Sequence, residues 1–157
     1  MAKDVGIKSA SIHHYFPTKG ELGGALADRY TSDFAAYLDG LLADGVDPQT
    51  CLARYIDVFR DTLRNDNRMC LAGIMAVEHK ELPDEVRAEV VKFGAMNEDW
   101  IARVLAKAST ANPEDIRHRA RAIFAAIEGA QLVARSRSDV SVYEEIVATY
   151  RRSGLIP

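Results

Sequence analysis

A short stretch near the beginning of the chain is rich in side chains that can hydrogen-bond to phosphate groups and to the edges of nucleic-acid bases. It combines small hydroxyl residues with histidine and tyrosine rings and with lysines. Small residues allow a helix to approach a surface closely, and polar rings can donate to phosphate oxygens or base edges. We therefore predict a DNA-contacting set that consists of Lys8, Ser9, Ser11, His13, His14, Tyr15 and Lys19.

A proline separates this stretch from a long helix. Phe16 precedes Pro17, and the residue before a proline is disfavoured in the α region, so a short helix should end there. Thr18 and Glu21 then form a capping-box pattern, which predicts the start of the next helix. Lys19 lies at that N-terminus, where its charge and the exposed N–H donors suit a phosphate. These two helical segments would position the DNA-contacting residues.

The run from Gly6 to Leu22 resembles the recognition-helix segment of the TetR family of transcriptional regulators. In that family a helix-turn-helix is followed by a Phe-Pro corner and a connecting helix. His13 departs from the pattern, because the family usually has tyrosine there. The alternative is an ordinary corner between two helices that carries a basic residue. The matching positions are Gly6, Ser11, Ile12, Tyr15, Phe16, Lys19 and Leu22.

The resemblance implies two regions, a partial helix-turn-helix over residues 1–21 and a helical ligand-binding and dimerisation domain over residues 22–157. Residues 2–6 would be the end of the first helix of the helix-turn-helix, and the helix that normally precedes the recognition helix has no counterpart in this sequence. Ile12 and Phe16 would then lack part of the apolar surface that holds the recognition helix. We therefore expect this chain to bind operator DNA weakly or not at all.

The overall composition is that of an ordinary globular chain. Of the 157 residues 48% are apolar, and the net charge of −3 argues against a uniformly basic nucleic-acid binder. No apolar run approaches the ~20 residues that span a bilayer, so we expect no membrane association. Two cysteines, Cys51 and Cys70, are too few for a disulfide framework or a metal site, which favours a reducing cytoplasm.

Apolar residues recur at helical spacing along the rest of the chain, and no segment alternates as a strand does. Together with the cap and first-turn proline signals, this predicts an all-α fold. The predicted helices run from Thr18 to about Asp44, from Asp47 to Asn65, from Cys70 to about His79, from Pro83 through Val104, from Asn112 to about Arg137, and from Ser141 to Gly154. The apolar stripe of the first comprises Leu22, Leu26, Tyr30, Phe34, Leu38 and Leu41.

The helix predicted over residues 113–137 is unusually rich in small residues, which let a second helix approach closely. TetR-like regulators dimerise through their last two helices, so the resemblance implies a homodimer through residues 113–137 and 141–153. Paired major-groove readers also need two-fold symmetry. The alternative is a bundle core within one chain. The small residues are Ala120, Ala122, Ala125, Ala126, Gly129, Ala130 and Ala134, with Ile123 and Ile127 as larger anchors.

The resemblance also implies an effector pocket between the DNA-reading head and the dimer helices. Asn97 is the sharpest candidate, because it is a polar residue on an apolar stripe between Phe93 and Trp100. A buried amide needs hydrogen-bond partners, which a ligand or the protein's own backbone can supply. Glu128 and Gln131 could reach a ligand or could be solvated. The full predicted set is Phe59, Met75, Phe93, Met96, Asn97, Trp100, Glu128 and Gln131, of which the apolar members could equally be plain core.

Cys70 offers a second kind of chemistry. Arg68 lies close in the sequence and could lower the pKa of the thiol, which would favour reaction with oxidants or electrophiles. The alternative is a buried, inert thiol. A thiol-based redox or electrophile sensor that acts through Cys70 is therefore the second hypothesis for function.

The spacing of the remaining polar residues does not favour an enzyme. His79 follows Glu78 without a second histidine at metal-binding spacing, and the adjacent His13 and His14 diverge on a helix. We expect no metal, no cofactor and no catalytic residue. The resemblance implies a dimeric repressor in which a small apolar molecule shifts the connecting helix, residues 22–44, and thereby releases operator DNA. A purely structural helical dimer is the third hypothesis.

Overall fold

The computed structural model describes residues 13–157, and this part of the chain contains helices and no strand. Residues 13–15 are helical and are followed by the Pro17 corner. Six longer helices come next, which confirms the all-α prediction. They are α1 (Lys19–Ala43), α2 (Pro48–Arg64), α3 (Leu71–Val77), α4 (Asp84–Ala108), α5 (Pro113–Arg137) and α6 (Val140–Arg152), with a short 3₁₀ turn, His79–Glu81, between α3 and α4.

The helices begin where their capping residues predict. At the start of α1 the Glu21 backbone N–H donates to Thr18 Oγ1 at 3.1 Å, and the Thr18 N–H donates to the Glu21 carboxylate at 3.0 Å. The side chains of Asp47, Asn112 and Asp139 accept from backbone N–H groups two or three residues on, each at 2.9 Å, and so cap α2, α5 and α6. Each cap satisfies an N–H that the helix itself leaves unpaired.

The third predicted helix is shorter than expected. The α-helical part ends at Val77, and His79 lies in the 3₁₀ turn instead. Pro83 follows at the start of α4, where a fixed φ suits the residue just before or at the first helical turn. α3 is therefore a two-turn helix that lies between two longer ones.

The first half of α1 packs with a different face from the one predicted. Leu26 is 49% exposed, whereas Gly20, Gly24 and Ala27 are buried. A Cβ on Gly20 would lie 3.0 Å from Pro83 Cβ, so α1 can approach the start of α4 only because glycine is present. The second half of the stripe packs as expected, with Leu38 fully buried.

The core lies where α1, α2, α4 and α5 meet. Trp100 and Tyr55 are fully buried and stack at a ring-centroid distance of 5.5 Å. The Trp100 indole N–H donates to the Leu38 carbonyl at 2.8 Å, which ties α4 to α1. The stripe predicted for α2 is buried as expected, with Leu52, Ile56, Phe59 and Leu63 in it.

The anchors predicted for a dimer face on α5 instead point into the protein's own core. Ile123 and Ile127 are fully buried within the single chain, as are three of the seven small residues predicted with them: Ala120, Ala130 and Ala134. Ala122 and Ala125 lie on the exposed side of the same helix. The prediction was wrong for the isoleucines because one helix of this length has two faces, and the larger apolar residues are on the inner one.

None of the helices within residues 13–157 is long and apolar enough to cross a bilayer.

Candidate functional site

A cavity of about 260 Å³ lies between α3, α4 and α5. Its size is close to the lower end of what small-molecule sites usually offer. One lining residue, Glu128, is charged, and the others are apolar or glycine. They are Met69, Ala72, Gly73, Ala76, Val77, Val90, Phe93, Gly94, Phe124, Glu128, Gly129 and Leu132.

Small residues make room for the cavity. Each of the three helices contributes a glycine to the wall: Gly73 from α3, Gly94 from α4 and Gly129 from α5. A Cβ added to Gly73 would lie 2.5 Å from Glu128 Oε2, so no larger residue fits there unless the carboxylate moves. A Cβ on Gly129 would meet nothing within 4 Å. The cavity therefore has free space beside Gly129 of α5, whereas the wall at Gly73 is packed tightly against the Glu128 carboxylate.

Glu128 is the buried polar group of this cavity. Both carboxylate oxygens are shielded from solvent, and within the described part of the chain neither accepts a hydrogen bond. Burial raises the pKa of Glu128 above its usual value, and the neighbouring Cys70 thiol, a weak donor, offsets this only in part. An unpaired carboxylate in an apolar wall is costly to the folded state, so it stands out against the rest of the core.

Cys70 is buried beside Glu128 rather than poised for reaction. Burial, followed by the charge of Glu128, raises the pKa of the thiol to about 12. The shift is opposite to the lowering that the nearby Arg68 was expected to cause. Because the thiolate is the reactive form, a thiol with this pKa is nearly inert at neutral pH. The redox-sensor hypothesis is therefore not favoured.

Asn97 lies outside the cavity, contrary to the ligand-binding prediction. It is fully buried, its amide nitrogen donates to the Phe93 carbonyl at 2.8 Å, and its oxygen accepts from the Tyr55 hydroxyl at 2.9 Å. The alternative considered from the sequence, a core asparagine satisfied by the protein, describes this residue. The polar partner that satisfies it comes from another helix.

Gln131 is likewise part of the scaffold, neither solvated nor in the cavity wall. Its oxygen accepts from the Cys70 backbone N–H at 2.9 Å, and its nitrogen donates to the Phe59 carbonyl at 2.8 Å and to Thr62 Oγ1 at 2.6 Å. These bonds tie α5 to α2 and to the residue before α3. Gln131 thereby fixes the position of the backbone next to the cavity.

The structure brings two of the eight predicted ligand-binding residues to the cavity wall, Phe93 and Glu128. Met75 lines a much smaller neighbouring pocket between α1, α3 and α4. Phe59 and Trp100 are buried core residues, and Met96 packs against that core, so none of the three lines the cavity. No group of three or more His, Cys, Asp or Glu side chains within residues 13–157 is arranged to hold a metal ion.

The described members of the DNA-contacting set are all on the surface. His13, His14, Tyr15 and Lys19 are exposed, and the Tyr15 side chain is 75% exposed. The rings of His14 and Tyr15 pack edge to face at 5.2 Å. The other three predicted residues, Lys8, Ser9 and Ser11, lie outside the described part of the chain.

Comparison with known proteins decides the family. Residues 48–148 match the model of the family described as "Transcriptional regulator LmrA/YxaF-like, C-terminal domain", a TetR C-terminal domain. The chain belongs to the TetR family of transcriptional regulators. The matched region contains the cavity and all of its walls.

Two curated relatives and one solved structure are similar to this TetR-family chain. The transcriptional regulator AcuR of Cereibacter sphaeroides is 30% identical over 58% of the chain and 43% of its own length. The HTH-type transcriptional repressor DhaR of a Mycobacterium species is 29% identical over 60% of the chain and 46% of its own length. A TetR regulator from Legionella pneumophila is 27% identical with a TM-score of 0.87, and the match covers 97% of this chain and 82% of that one. The chain thus spans less than half of the length of these curated relatives.

The wall residues that the sequence did not reveal are mostly small or flexible. Ala72, Gly73 and Gly129 lack a feature of their own that marks a cavity, and Met69 and Leu132 have the pattern of ordinary core residues. The signal that could have found the site is the coincidence of small residues on α3 with small residues around Glu128 on α5. Where two helices pack through faces that carry only small side chains, the side chains do not fill the space between the helices.

Proposed function

We propose that this TetR-family regulator is a repressor that releases its operator DNA when a small molecule occupies the cavity beside Glu128. The observation that supports this is the position of α4. One side of α4 supplies Val90, Phe93 and Gly94 to the cavity wall. Another side packs along α1, the helix that begins at Lys19, directly after the exposed residues 13–15.

The contacts between α1 and α4 extend over the length of both helices. Near the DNA-facing end, a Cβ on Gly24 would lie 3.2 Å from Glu85 Cβ. At the other end, Arg103 pairs with Asp39 at 2.8 Å, next to the Trp100–Leu38 hydrogen bond. A displacement of α4 by a ligand would therefore be passed to α1, since closely packed helices move together.

The proposed division of labour follows from this arrangement. Residues 1–21 would serve as the DNA-reading head, with Lys8, Ser9, Ser11, His13, His14, Tyr15 and Lys19 at the DNA. Residues 22–157 would hold the effector and form the homodimer. The boundary falls in the first turn of α1, so the two regions are joined by a continuous helix. We propose a dimer through residues 113–137 and 141–153, where α5 keeps an exposed small-residue face with Leu132 51% exposed.

Release of DNA is an equilibrium between two arrangements of the dimer. A ligand can shift it only if it binds the form that does not fit DNA more tightly than the form that does. In this proposal the ligand would wedge α4 away from α5, rotate α1 and change the separation of the two recognition helices. Half-sites one helical turn apart then no longer match.

Because residues 1–21 alone are expected to bind operator DNA weakly or not at all, the test uses a version of the protein with a complete helix-turn-helix. It is given labelled DNA from the region next to the gene and a panel of small amines, alcohols and acids that fit the cavity. Gly129→Leu should fill the cavity and abolish release of DNA by any compound that releases it from the unmodified protein. Gly40→Leu is the matched control, because Gly40 lies on α1, remote from the cavity wall, and a Cβ there also meets nothing within 4 Å. Equal release from both variants would contradict the proposal.

A further inference from the structure

Glu128 is the polar residue of the cavity wall, and its carboxylate oxygens lie buried just behind the accessible apolar surface. Among the residues of the described chain that line it, eleven are apolar or glycine and Glu128 alone is polar. Within residues 13–157 neither of its oxygens has a well-formed hydrogen bond, although the buried amides of Asn97 and Gln131 in the same core do. An unsatisfied pair of acceptors in a native core needs an explanation, and the adjoining cavity has room for a group that would donate to them.

The titratable groups around Glu128 offer no positive charge. The buried groups on which its charge acts are all acids, neutral or negative in every state: Tyr30, Tyr55, Cys70 and Tyr143. Burial raises the pKa of each of these four, so they stay neutral when Glu128 ionises. No lysine, arginine or histidine lines the cavity within residues 13–157.

Charged residues do lie in the two neighbouring depressions. On one side, Arg135 and Glu78 line the depression that continues beyond Leu132 toward the end of α5. On the other, Glu89 lines the small pocket behind Phe93 and is 3.3 Å from Lys92. In the described part of the chain, neither Arg135 nor Lys92 lines the cavity that holds Glu128.

We propose that the cavity selects small amphiphilic cations. The Glu128 side chain turns its carboxylate into the space and pairs with the ammonium group, and the apolar body of the ligand fills the rest of the cavity. This inference rests on the proposed function, in which the same cavity holds the effector. At about 30 Å³ for each water-sized group, the volume admits a ligand of roughly nine heavy atoms. The rings of Phe93 and Phe124 in the wall suit an aromatic body and can also attract a nearby cation.

A cation fits better than an anion for an electrostatic reason. Pairing with an ammonium restores to the carboxylate the charge-assisted hydrogen bonds that burial removed, and the low dielectric of the cavity strengthens them. An anionic ligand would first require Glu128 to take up a proton and would then find no base in the wall to meet its own charge. A neutral alcohol can donate one hydrogen bond but cannot neutralise the charge.

The test compares three probes of similar size by calorimetry with the whole chain and no DNA: phenethylamine, phenethyl alcohol and phenylacetate. We expect the affinity for the amine to be at least about tenfold higher than that for the alcohol, and the affinity for phenylacetate to be the lowest of the three. Equal affinity for the amine and the alcohol, or tighter binding of phenylacetate, would overturn the inference. This arm needs no variant, so it does not depend on how a substitution folds.

A second arm assigns the preference to Glu128. Glu128→Gln keeps the shape of the side chain and removes its charge, so the amine should lose its advantage while the alcohol keeps its affinity within about twofold. In the unmodified protein, amine affinity should rise with pH as Glu128 ionises, over a range above the usual one for glutamate, whereas alcohol affinity should stay constant. A preference for the amine that survives in Glu128→Gln would overturn the inference.

These outcomes are separate from the fate of the proposed function. If the amine binds through Glu128 and DNA is not released, the inference stands and the repressor mechanism fails. If phenethylamine shows no preference but another compound releases DNA through the same cavity, the mechanism stands and the choice of a cation fails.

Discussion

Glu128 and Gln131 lie one turn apart on α5, and their side chains differ in how their polar atoms are hydrogen-bonded. Every polar atom of Gln131 is paired with a group from α2 or from the residue before α3, at distances of 2.6–2.9 Å. Neither oxygen of Glu128 is paired within the described chain. Both face the interior of the same bundle, so burial alone does not explain the contrast.

The difference separates scaffold from site. Asn97 belongs with Gln131, since Tyr55 and Phe93 satisfy it. Paired amides of this kind hold helices in one register and leave nothing for a ligand to bind. An unpaired carboxylate next to empty space lowers the stability of the ligand-free protein. The same carboxylate offers binding energy to a ligand of opposite charge.

The largest expected effect is on the scaffold side. Gln131→Ala would leave the Cys70 N–H without its acceptor, would remove the hydrogen bonds that the Phe59 carbonyl and the Thr62 hydroxyl accept, and would open a small void. We therefore expect the free energy of unfolding to fall by about 3 kcal/mol. Urea denaturation measures this. Gln49→Ala is the matched control, because it removes the same side chain from an exposed position at the start of α2, and we expect a loss below about 1 kcal/mol. Losses of the same size in both variants would remove the distinction between scaffold and site.

A smaller effect of opposite sign is expected at Glu128. The pKa of Glu128 is raised in the folded protein, so the wild type loses stability as the pH rises from the usual carboxyl range through the folded pKa. Glu128→Gln does not titrate, and we expect it to be more stable than wild type by about 1 kcal/mol near pH 8 and by less near pH 5. Urea denaturation at the two pH values checks this. A variant that is destabilised, and more so at the higher pH, would show that the carboxylate is paired after all.

At the thiol beside Glu128 we expect almost no effect. Cys70→Ser should change the response of the DNA complex to a cavity ligand by less than about twofold, because the thiol is protonated at neutral pH and buried. Release of DNA is measured in the version with a complete helix-turn-helix, before and after treatment with an alkylating reagent, with Cys51→Ser as control for the second buried thiol. Loss of the response in Cys70→Ser alone would revive the sensor hypothesis.

Much of the fold was accessible from local sequence signals. The caps at Thr18, Asp47 and Asn112 act within three residues of themselves, and the stripe on α2 repeats at helical spacing, so neither depends on distant contacts. The TetR resemblance of the segment before α1, now confirmed for the family, likewise depended on fixed spacing. The assignment of single residues to DNA contact remains a prediction.

The site was harder to predict because it depends on contacts between residues that are far apart in the sequence. Asn97 and Glu128 look alike in the sequence, each a polar residue among apolar ones. They differ because Tyr55, 42 residues away, donates a hydrogen bond to Asn97, whereas within the described chain Glu128 has only the weakly donating Cys70 thiol beside it. The buried face of α1 was missed for a similar reason, since Gly20 and Gly24 gain their role only from the approach of α4. Partners contributed by other helices cannot be counted from one helix alone.

The ionisation of Glu128 tests the central claim most directly. Carbon-detected NMR can follow its side-chain carboxyl through a pH titration, with Glu128→Gln to assign the signal. We predict a midpoint above the usual value for glutamate, and a marked fall of that midpoint when phenethylamine saturates the protein. A midpoint in the usual range that does not move with the amine would contradict the account.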